Sequence, residues 1–391
     1  MSATLLVAWS PGEVRGVLVE AGRAVDLRVE REHQESLIDV RFAGRVTRIV
    51  PALGAAFIDI GMDSPAFFPL RRRGRSDLVE GAAILVVVTK DARGTKPPEV
   101  RRLTQSGVRL DGESIPRRLD PPKPPIIRLL SSLLDAPLAA IIVNDADTML
   151  AARGYLRTAR SDLQDVVELR SGGDLFAAHG LADAFENALA RQISLASGAV
   201  VTFESTAAAT MIDIDMAQAS ESGGSMDQAI LATNLGAAEA IGSQLRLRGI
   251  SGAIIVDFIS MANKEHRQQV WDRLAISVAG DRSPVELHGW TRLGHFELTR
   301  RRGRASLAEI MLCPFEPVAT AMTATLEALA RIAFASARGG PITVHAGPAV
   351  SGLLDGILAE AFAVAARRSG RRVVLERCLH SDGNHLTIDG V

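Results

Sequence analysis

Three aspartates are placed so that their carboxylates can act together. Asp213 and Asp215 alternate with Ile212 and Ile214, so in a strand both carboxylates project from one face while the isoleucines enter the layer behind it. Asp257 ends an apolar strand-like run, and the ends of such strands are where open α/β sheets hold their ligands. Three carboxylates that converge at this edge would repel one another unless a cation lies between them.

The chemistry that these residue types allow is metal-assisted hydrolysis. Carboxylate oxygens are hard ligands that suit Mg²⁺ or Mn²⁺. An ion held by two carboxylates can orient water and stabilise charge on a phosphodiester during in-line attack. From spacing alone a structural role stays open, with Asp213 and Asp215 as strand-end caps and Asp257 bonded to a neighbouring loop. Paired aspartates at a strand end occur in many hydrolases and in many proteins that are not enzymes.

A second group of residues indicates binding of single-stranded nucleic acid. Residues 37–104 alternate apolar and polar positions between glycine turns, which is typical of a small closed barrel. Such barrels stack bases on exposed rings and follow the phosphates with basic side chains. The rings are Phe42, Phe57, Phe67 and Phe68, and the basic flanks are Arg45, Arg48, Lys90 and Arg93. We expect at least two of the four rings to belong to the barrel core instead.

Other elements must position these groups. Residues 1–36 predict a meander of short strands, and the Pro-rich stretch 105–125 predicts a linker or irregular crossing segment. Residues 126–198 predict mostly helix, with one strand over 139–143. The α/β pattern that follows predicts hairpins over 199–216 and 285–302, a buried strand over 253–258, helices over 226–248, 264–279, 316–337 and 350–368, and strands over 342–345, 372–377 and 385–389.

Composition limits the class of protein. The 391 residues are 47% hydrophobic and 23% charged with net charge −1, which fits a globular protein of two or three domains and argues against a wholly electrostatic nucleic-acid binder. Arginine clusters at 71–75, 300–304 and 367–372 suit phosphate contacts, although one such cluster is more often a solvated face. We expect no transmembrane helix and no signal peptide. Two cysteines, Cys313 and Cys378, fit a reduced, cytoplasmic compartment.

Stretches in the right order over most of the chain resemble the ribonuclease E/G family. Gly44–Ile49 and Ala55–Gly61 are similar to that family's inserted RNA-binding barrel, and Lys90–Lys96 is similar to the exit of the barrel. Thr210–Asp215 resembles the first catalytic motif, and Ile255–Met261 resembles the second. Further stretches that match are Leu5–Val7, Val29–Glu32, Asn234–Leu235, Gln244–Arg248, Leu293–Arg300 and His345–Val350.

The resemblance implies roles for individual residues by their position in these motifs. Asp213 and Asp257 would hold Mg²⁺. Asp215 stands where the family has an Asn that helps to orient the reacting groups. An aspartate at this position adds negative charge to the site. It would therefore act as a third metal ligand or alter the metal preference. The residues expected to contact RNA are Phe57 and Phe67 by stacking, Lys90 and Lys96 at the backbone, and Arg45 on the barrel flank.

The resemblance also implies the fold class. It is α/β, with an RNase H-like subdomain, an inserted OB-type (S1-like) β-barrel, a DNase I-like catalytic subdomain and a C-terminal small α/β domain. The expected domains are 1–36 (N-terminal part of the RNase H-like subdomain), 37–104 (barrel), 105–125 (Pro-rich linker), 126–198 (remainder of the RNase H-like subdomain), 199–312 (DNase I-like subdomain) and 313–391 (C-terminal domain).

Two departures from the family pattern bear on function. The family's 5′-monophosphate sensor domain belongs where only residues 105–125 stand, and Pro284 takes the position of an arginine of the sensor pocket. We therefore expect 5′-end sensing to be lost or strongly reduced. The family's zinc-link motif Cys-x-x-Cys is reduced to Cys313, and one thiol per subunit cannot form a four-thiolate site across a dimer. We therefore expect that the protein binds no zinc. If it forms a homo-oligomer, we expect a dimer or tetramer that assembles without the zinc link.

These expectations combine into a metal-dependent endoribonuclease. It would hydrolyse single-stranded RNA in RNA processing or decay, leave 5′-phosphate products, and have no membrane partner. The alternative is a catalytically weak RNA-binding protein or RNA chaperone of the same fold, which the aspartate at position 215 and the missing sensor motivate. A nuclease that acts on DNA also stays open.

Overall fold

The computed structural model describes residues 3–70, 77–92, 96–103, 115–216, 225–313, 319–378 and 381–391. The sequence predictions that concern the arginines of 71–75, Arg93 and residues 314–316 lie outside these described residues. The chain divides into two compact units. The first consists of Met1–Gln34, Pro124–Arg301 and Ala305–Val391, and the second of Glu35–Lys123 with Arg302–Arg304.

The described residues form short strands and mostly short α-helices. The strands in chain order are β1 (Ala3–Ser10), β2 (Glu13–Glu20), β3 (Arg23–Arg31), β4 (Arg41–Val50), β5 (Ala55–Asp59), β6 (Ala66–Pro69), β7 (Ala83–Lys90), β8 (Glu99–Arg102), β9 (Arg117–Arg118), β10 (Leu138–Val143), β11 (Val167–Leu169), β12 (Gln192–Ser194), β13 (Val200–Ser205), β14 (Ala209–Asp215), β15 (Gly252–Asp257), β16 (Val285–Trp290), β17 (Phe296–Arg300), β18 (Ile342–Ala346), β19 (Val373–Arg377) and β20 (Leu386–Asp389). The α-helices are α1 (Pro125–Ser131), α2 (Ala146–Ala159), α3 (Ala184–Leu189), α4 (Met226–Arg248), α5 (Lys264–Val278), α6 (Leu307–Met311), α7 (Ala321–Ala333), α8 (Pro348–Asp355) and α9 (Ala359–Ser369).

The first unit begins with a five-stranded sheet in the order β11-β10-β1-β2-β3. Its last three strands are the predicted meander, and β10 confirms the strand predicted between the helices. β1 is parallel to β10 and antiparallel to β2. Both faces of the sheet are covered, because Leu5 packs in a core with Leu129 of α1 while Leu6 packs in a core with Phe185 of α3. Burial on both faces explains the unbroken apolar run of β1.

The same unit contains a six-stranded sheet in the order β12-β13-β14-β15-β17-β16. β14 and β15 are parallel, and the other neighbours are antiparallel. Helices α4 and α5 cover one face and form a core with Ile212, Ile214 and Val256. The alternation in β14 therefore turns Asp213 and Asp215 to the opposite face, where both are exposed. Both predicted hairpins are confirmed, as β13–β14 and β16–β17.

The second unit contains a closed five-stranded barrel. The strands follow the order β5-β6-β8-β7-β4, and the pairing of β5 with β4 closes the ring. Its core includes Phe42, Val46 and Val86. β4 contains Gly44 because a Cβ at this position would lie 2.7 Å from the carbonyl oxygen of Asp59. β9, which lies in the predicted Pro-rich segment, pairs with β4.

The C-terminal part of the first unit is a three-stranded sheet in the order β19-β18-β20, packed with α7, α8 and α9. Two helix predictions need correction here. The helix expected over 316–337 is the shorter α7, which begins after Thr320, whose side chain accepts a bond from the amide of Thr323. The helix expected over 350–368 is two helices, α8 and α9, because the chain leaves helical geometry at Gly356 (φ −112°, ψ −111°). The short α6 escaped prediction, although Ser306 and Glu309 form a capping box.

Length and apolarity decide whether a helix can span a membrane. Within the described ranges no single helix could cross a membrane, and the bent pair Pro348–Asp355 with Ala359–Ser369, with an angle of 85° between its helices, meets those requirements only when taken together.

A buried ion pair fixes one end of the six-stranded sheet. Arg300 at the end of β17 donates from Nε to Oδ2 of Asp281 at 2.7 Å and from Nη2 to Oδ1 at 2.9 Å. A third bond joins its Nη1 to the carbonyl oxygen of Ile250 at 3.0 Å. The side chains of Arg300 and Asp281 are only 7% and 3% exposed. The pair therefore connects β17 to the segments that precede β15 and β16.

We predict that Asp281→Ala destabilises the protein by about 3–5 kcal/mol, because it leaves the buried charge of Arg300 without its partner. Urea denaturation of the purified variant measures this free energy of unfolding. Glu239→Ala is the matched control, since it removes the exposed ion pair with Arg273 and should change the free energy by less than about 1 kcal/mol. Equal effects of the two substitutions would contradict the prediction.

Candidate active site

Asp213 and Asp257 are direct neighbours across two parallel strands. The register of β14 and β15 pairs Ile212 with Val256 and Asp213 with Asp257. Because neighbouring strands lie about 4.8 Å apart, two carboxylates on the same face at paired positions are within reach of one ion. Both side chains are exposed, and that of Asp257 is 55% accessible. The carboxylates predicted from sequence to act together are thus brought together by strand register.

Asp215 lies apart from this pair. It is paired with Val200 of β13, whereas the ladder between β14 and β15 ends at Asp213 and Asp257. No three His, Cys, Asp or Glu side chains among the described residues form a group that could hold a metal ion. The expected convergence of three carboxylates is therefore reduced to two, because β15 ends before it reaches the level of Asp215. Two exposed carboxylates suit Mg²⁺, which keeps several of its waters and needs only one or two carboxylate ligands.

A row of polar side chains crosses the exposed face at the level of this pair. The registers place Gln192 beside Thr202, and Thr202 beside Asp213. On the far side the antiparallel register of β15 and β17 brings His295 next to Asp257, with Nε2 3.8 Å from Oδ2. We call Gln192, Thr202, Asp213, Asp257 and His295 the polar row. Sequence reasoning missed Gln192, Thr202 and His295, because nothing in the local pattern shows which residues of distant strands share a level.

A groove extends from Asp213 toward the β12 edge of the sheet. Its volume is about 510 Å³, within the range of small-molecule sites. The residues that line it are Arg191, Gln192, Val200, Thr202, Glu204, Met211, Asp213 and Asp215. Arg191 and Glu204 form an ion pair across it. All of the lining residues lie on or next to β12, β13 and β14, so the groove occupies one side of the carboxylate pair only.

Buried polar side chains hold the strands that carry these groups. Asn234 of α4 is fully buried, donates from Nδ2 to the carbonyl oxygen of Ile259 at 2.8 Å and accepts from the amide of Ile259 at 3.1 Å. It therefore fixes the chain two residues after Asp257. Arg248 at the end of α4 donates to the carbonyl oxygen of Ala190 at 2.6 Å and lies over the ring of Phe203 at 4.3 Å. Burial lowers the pKa of the Arg248 guanidinium to about 10.

The aromatic residues of the barrel divide into two groups. Phe42 is buried in the barrel core and Phe68 packs against it, in agreement with the expectation that at least two rings are structural. Phe57 and Phe67 are partly exposed neighbours on β5 and β6, with ring centroids 6.2 Å apart in an edge-to-face arrangement. These two are the rings that the resemblance identified as RNA contacts.

Basic side chains lie on the same outer surface of the barrel. Arg48 is paired with Phe57, and Glu99 with both Phe67 and Lys90. Lys90 bonds to Glu99 at 2.7 Å. Arg45 lies one level away, donates to the carbonyl oxygen of Gly81 at 2.8 Å and is exposed, as is Lys96 before β8.

Both cysteines of the chain, Cys313 and Cys378, are free thiols.

Comparison with known proteins identifies what the chain is similar to. The family model described as "Ribonuclease E/G family" matches residues 101–303, just over half of the chain. The chain is 27% identical to ribonuclease G of Haemophilus influenzae, over 79% of this chain and 82% of that protein. It is 26% identical to ribonuclease G of Salmonella typhimurium, over 96% of this chain and 97% of that protein. It is also 26% identical to ribonuclease E of Haemophilus influenzae, over 80% of this chain but 43% of that protein.

We predict that Asn234→Leu loosens the segment after Asp257. The substitution leaves the amide and carbonyl of Ile259 without their partner, which should lower the free energy of unfolding by about 1–3 kcal/mol and speed hydrogen exchange of the Ile259 amide. Mass-spectrometric hydrogen exchange with urea denaturation measures both effects. Asn187→Leu, at an exposed position of α3, is the control, and unchanged exchange at Ile259 in the first variant would refute this role.

Proposed function

Because the chain belongs to the ribonuclease E/G family, we propose that it is an endoribonuclease that hydrolyses single-stranded RNA with the help of a divalent metal ion. The observation that carries this proposal is the pairing of Asp213 with Asp257 on the exposed face of the six-stranded sheet. Both residues lie within the segment that the family model matches. The groove that begins at Asp213 offers space for one nucleotide beside the pair.

Asp213 and Asp257 would hold the ion, Mg²⁺ or Mn²⁺, between their carboxylates. A bound ion of this kind supplies an activated water and stabilises charge on the phosphodiester. The protein's own contribution is positional: the buried Ile212 and Val256 fix the strands, so the carboxylates need little rearrangement before the reaction. His295 lies beside Asp257 on the side away from Asp213. Cleavage would leave a 5′-phosphate on one product.

Substrate binding by the barrel forms a separate part of the proposal. Phe57 and Phe67 present two rings on the outer surface of the barrel, and each base stacked on a ring is worth about 1–3 kcal/mol. Arg45, Lys90 and Lys96 would contact the RNA backbone. Arg48, which is paired with Phe57, joins them in this role.

The subdomains follow the family architecture in this proposal. The five-stranded sheet with α1 to α3 would be the RNase H-like subdomain, and the barrel its OB-type (S1-like) insertion. The six-stranded sheet with α4 and α5 would be the DNase I-like catalytic subdomain, followed by the small C-terminal domain. The free thiols favour a reducing, cytoplasmic location. A dimer or tetramer would form without a zinc link, because Cys313 alone replaces the paired cysteines of that link.

Asp215 favours a second candidate function, that of a catalytically weak RNA-binding protein or chaperone. It stands where the family has an Asn, and its carboxylate is exposed on the face that carries the catalytic pair. An added negative charge near an approaching phosphate is unfavourable at short range. Cleavage by the purified protein distinguishes the two functions.

We predict that Asp257→Asn lowers the rate of Mg²⁺-dependent cleavage of a short unstructured RNA by at least about a hundredfold, while RNA binding without metal stays nearly intact. The reason is that an amide holds a divalent ion less well than a carboxylate does. Gel analysis of cleavage and fluorescence anisotropy of binding measure the two properties. Asp272→Asn, on the exposed surface of α5, is the control. Equal cleavage by Asp257→Asn and wild type would remove the mechanism, and wild type that binds RNA but never cuts it would favour the chaperone.

We also predict similar cleavage rates for RNA that begins with a 5′-hydroxyl and RNA that begins with a 5′-monophosphate. Pro284 carries no charge that could bind a terminal phosphate, and the segment 105–125 is too short for a sensor domain. Parallel time courses with two oligonucleotides that differ only at the 5′ end test this prediction. A strong preference for the monophosphate would contradict it.

A further inference from the structure

We infer that Thr202 and Gln192 form a subsite that recognises the ribose 2′-hydroxyl of the nucleotide on the 5′ side of the cleaved bond. This inference rests on the proposed function and concerns how the same site distinguishes RNA from DNA. Both residues belong to the polar row, on the groove side of Asp213. Thr202 is directly paired with Asp213, and Gln192 is directly paired with Thr202.

The hydrogen bonding of the two side chains leaves a donor and an acceptor free. Gln192 donates from Nε2 to Oγ1 of Thr202 at 3.2 Å. In the part of the chain that the structure describes, this is the one side-chain hydrogen bond that either residue makes. A threonine hydroxyl that accepts a bond can still donate its own proton, and a glutamine amide that donates still has its carbonyl oxygen as an acceptor. The pair therefore presents at least one donor and one acceptor to the groove.

A ribose 2′-hydroxyl matches this pair chemically. It both accepts and donates a hydrogen bond, and it is the group by which proteins distinguish RNA from DNA. It can accept from the hydroxyl of Thr202 and donate to Oε1 of Gln192. A deoxyribose offers neither bond, so it leaves both protein groups with water alone.

The position of the pair selects the sugar on the 5′ side. The 2′-carbon is bonded to the 3′-carbon, and the 3′-oxygen is the group that leaves when the phosphodiester is hydrolysed to a 5′-phosphate. With the phosphate at Asp213 and Asp257, the adjoining 2′-hydroxyl lies near the next strand, about 4.8 Å away. Thr202 occupies that strand. On the opposite side of the carboxylates the neighbours are His295 and Glu297, which form no such neutral pair, and the groove does not extend there.

Removal of the 2′-hydroxyl should lower kcat/KM only modestly, because the subsite is open to water. Thr202 is partly exposed and Gln192 is exposed, so each lost bond should matter at the level of an ordinary hydrogen bond. We therefore expect kcat/KM to fall about two- to tenfold when the 2′-hydroxyl is removed.

Three versions of one short unstructured RNA test the subsite. At the nucleotide 5′ to a mapped cleavage site they carry ribose, 2′-deoxyribose or 2′-fluororibose. The fluoro sugar keeps the ribose pucker but cannot donate a hydrogen bond. The full-length wild type, Thr202→Val, Gln192→Leu and Thr299→Val are compared by kcat/KM in Mg²⁺. Thr299 is the matched control, because it lies on the same sheet but two strands beyond Asp213, and among the described residues its side chain bonds to His288 alone.

The expected result is that wild type and Thr299→Val cut both altered substrates about two- to tenfold more slowly than the ribose substrate. Thr202→Val and Gln192→Leu should cut the ribose substrate at the reduced rate and show little further loss with the altered sugars. A full sugar penalty in Thr202→Val and Gln192→Leu, or none in wild type, would overturn the subsite while leaving the nuclease assignment intact. Failure of wild type to cut any of the three substrates would overturn the nuclease assignment and the subsite with it.

Discussion

The parallel pairing of β14 with β15 in a single register is the constraint on which the candidate active site depends. It sets Asp213 beside Asp257 and leaves both carboxylates in water. A slip of one residue along either strand would turn that strand's carboxylate into the layer covered by α4 and α5. The register is therefore enforced from the other face, where Ile212, Ile214 and Val256 are buried. Hydrophobic burial on one face of the sheet therefore determines the positions of the Asp213 and Asp257 carboxylates on the other face.

Polar side chains inside the first unit fix the strands of the site in addition to the apolar packing. Asn234 fixes the backbone just past Asp257 through both atoms of its amide. The buried pair of Arg300 and Asp281 fixes β17, and Arg248 connects the end of α4 to the segment before β12. Asn234 and the pair of Arg300 with Asp281 have their hydrogen bonds satisfied within the protein, whereas the carboxylates of the site face solvent. Rigid anchors below an open polar face suit a site that must bind a flexible polynucleotide and release it.

Two kinds of surface in the chain correspond to two tasks of a ribonuclease. The six-stranded sheet presents carboxylates and neutral hydrogen-bonding groups in one row, which suits chemistry at a phosphodiester. The barrel presents Phe57 and Phe67 beside Arg48 and Lys90, which suits the bases and backbone of a single strand. The similarity to ribonuclease G of Salmonella typhimurium extends over 96% of this chain and so includes the segments that form both surfaces.

The sequence alone determined which residues face the core. The alternation of Ile212 and Ile214 with Asp213 and Asp215 predicted a strand with one buried and one acidic face. The strands after residue 198 and the helices α4 and α5 were predicted close to their observed bounds, whereas residues 126–198 contain less helix than expected. Only the tertiary structure decided which strands are neighbours. The order and register of the strands separate Asp215 from the pair of Asp213 and Asp257. They also place Gln192, Thr202 and His295 at the level of that pair. The physical reason is that the period of a strand is local, whereas the register between distant strands follows from the packing of the whole core.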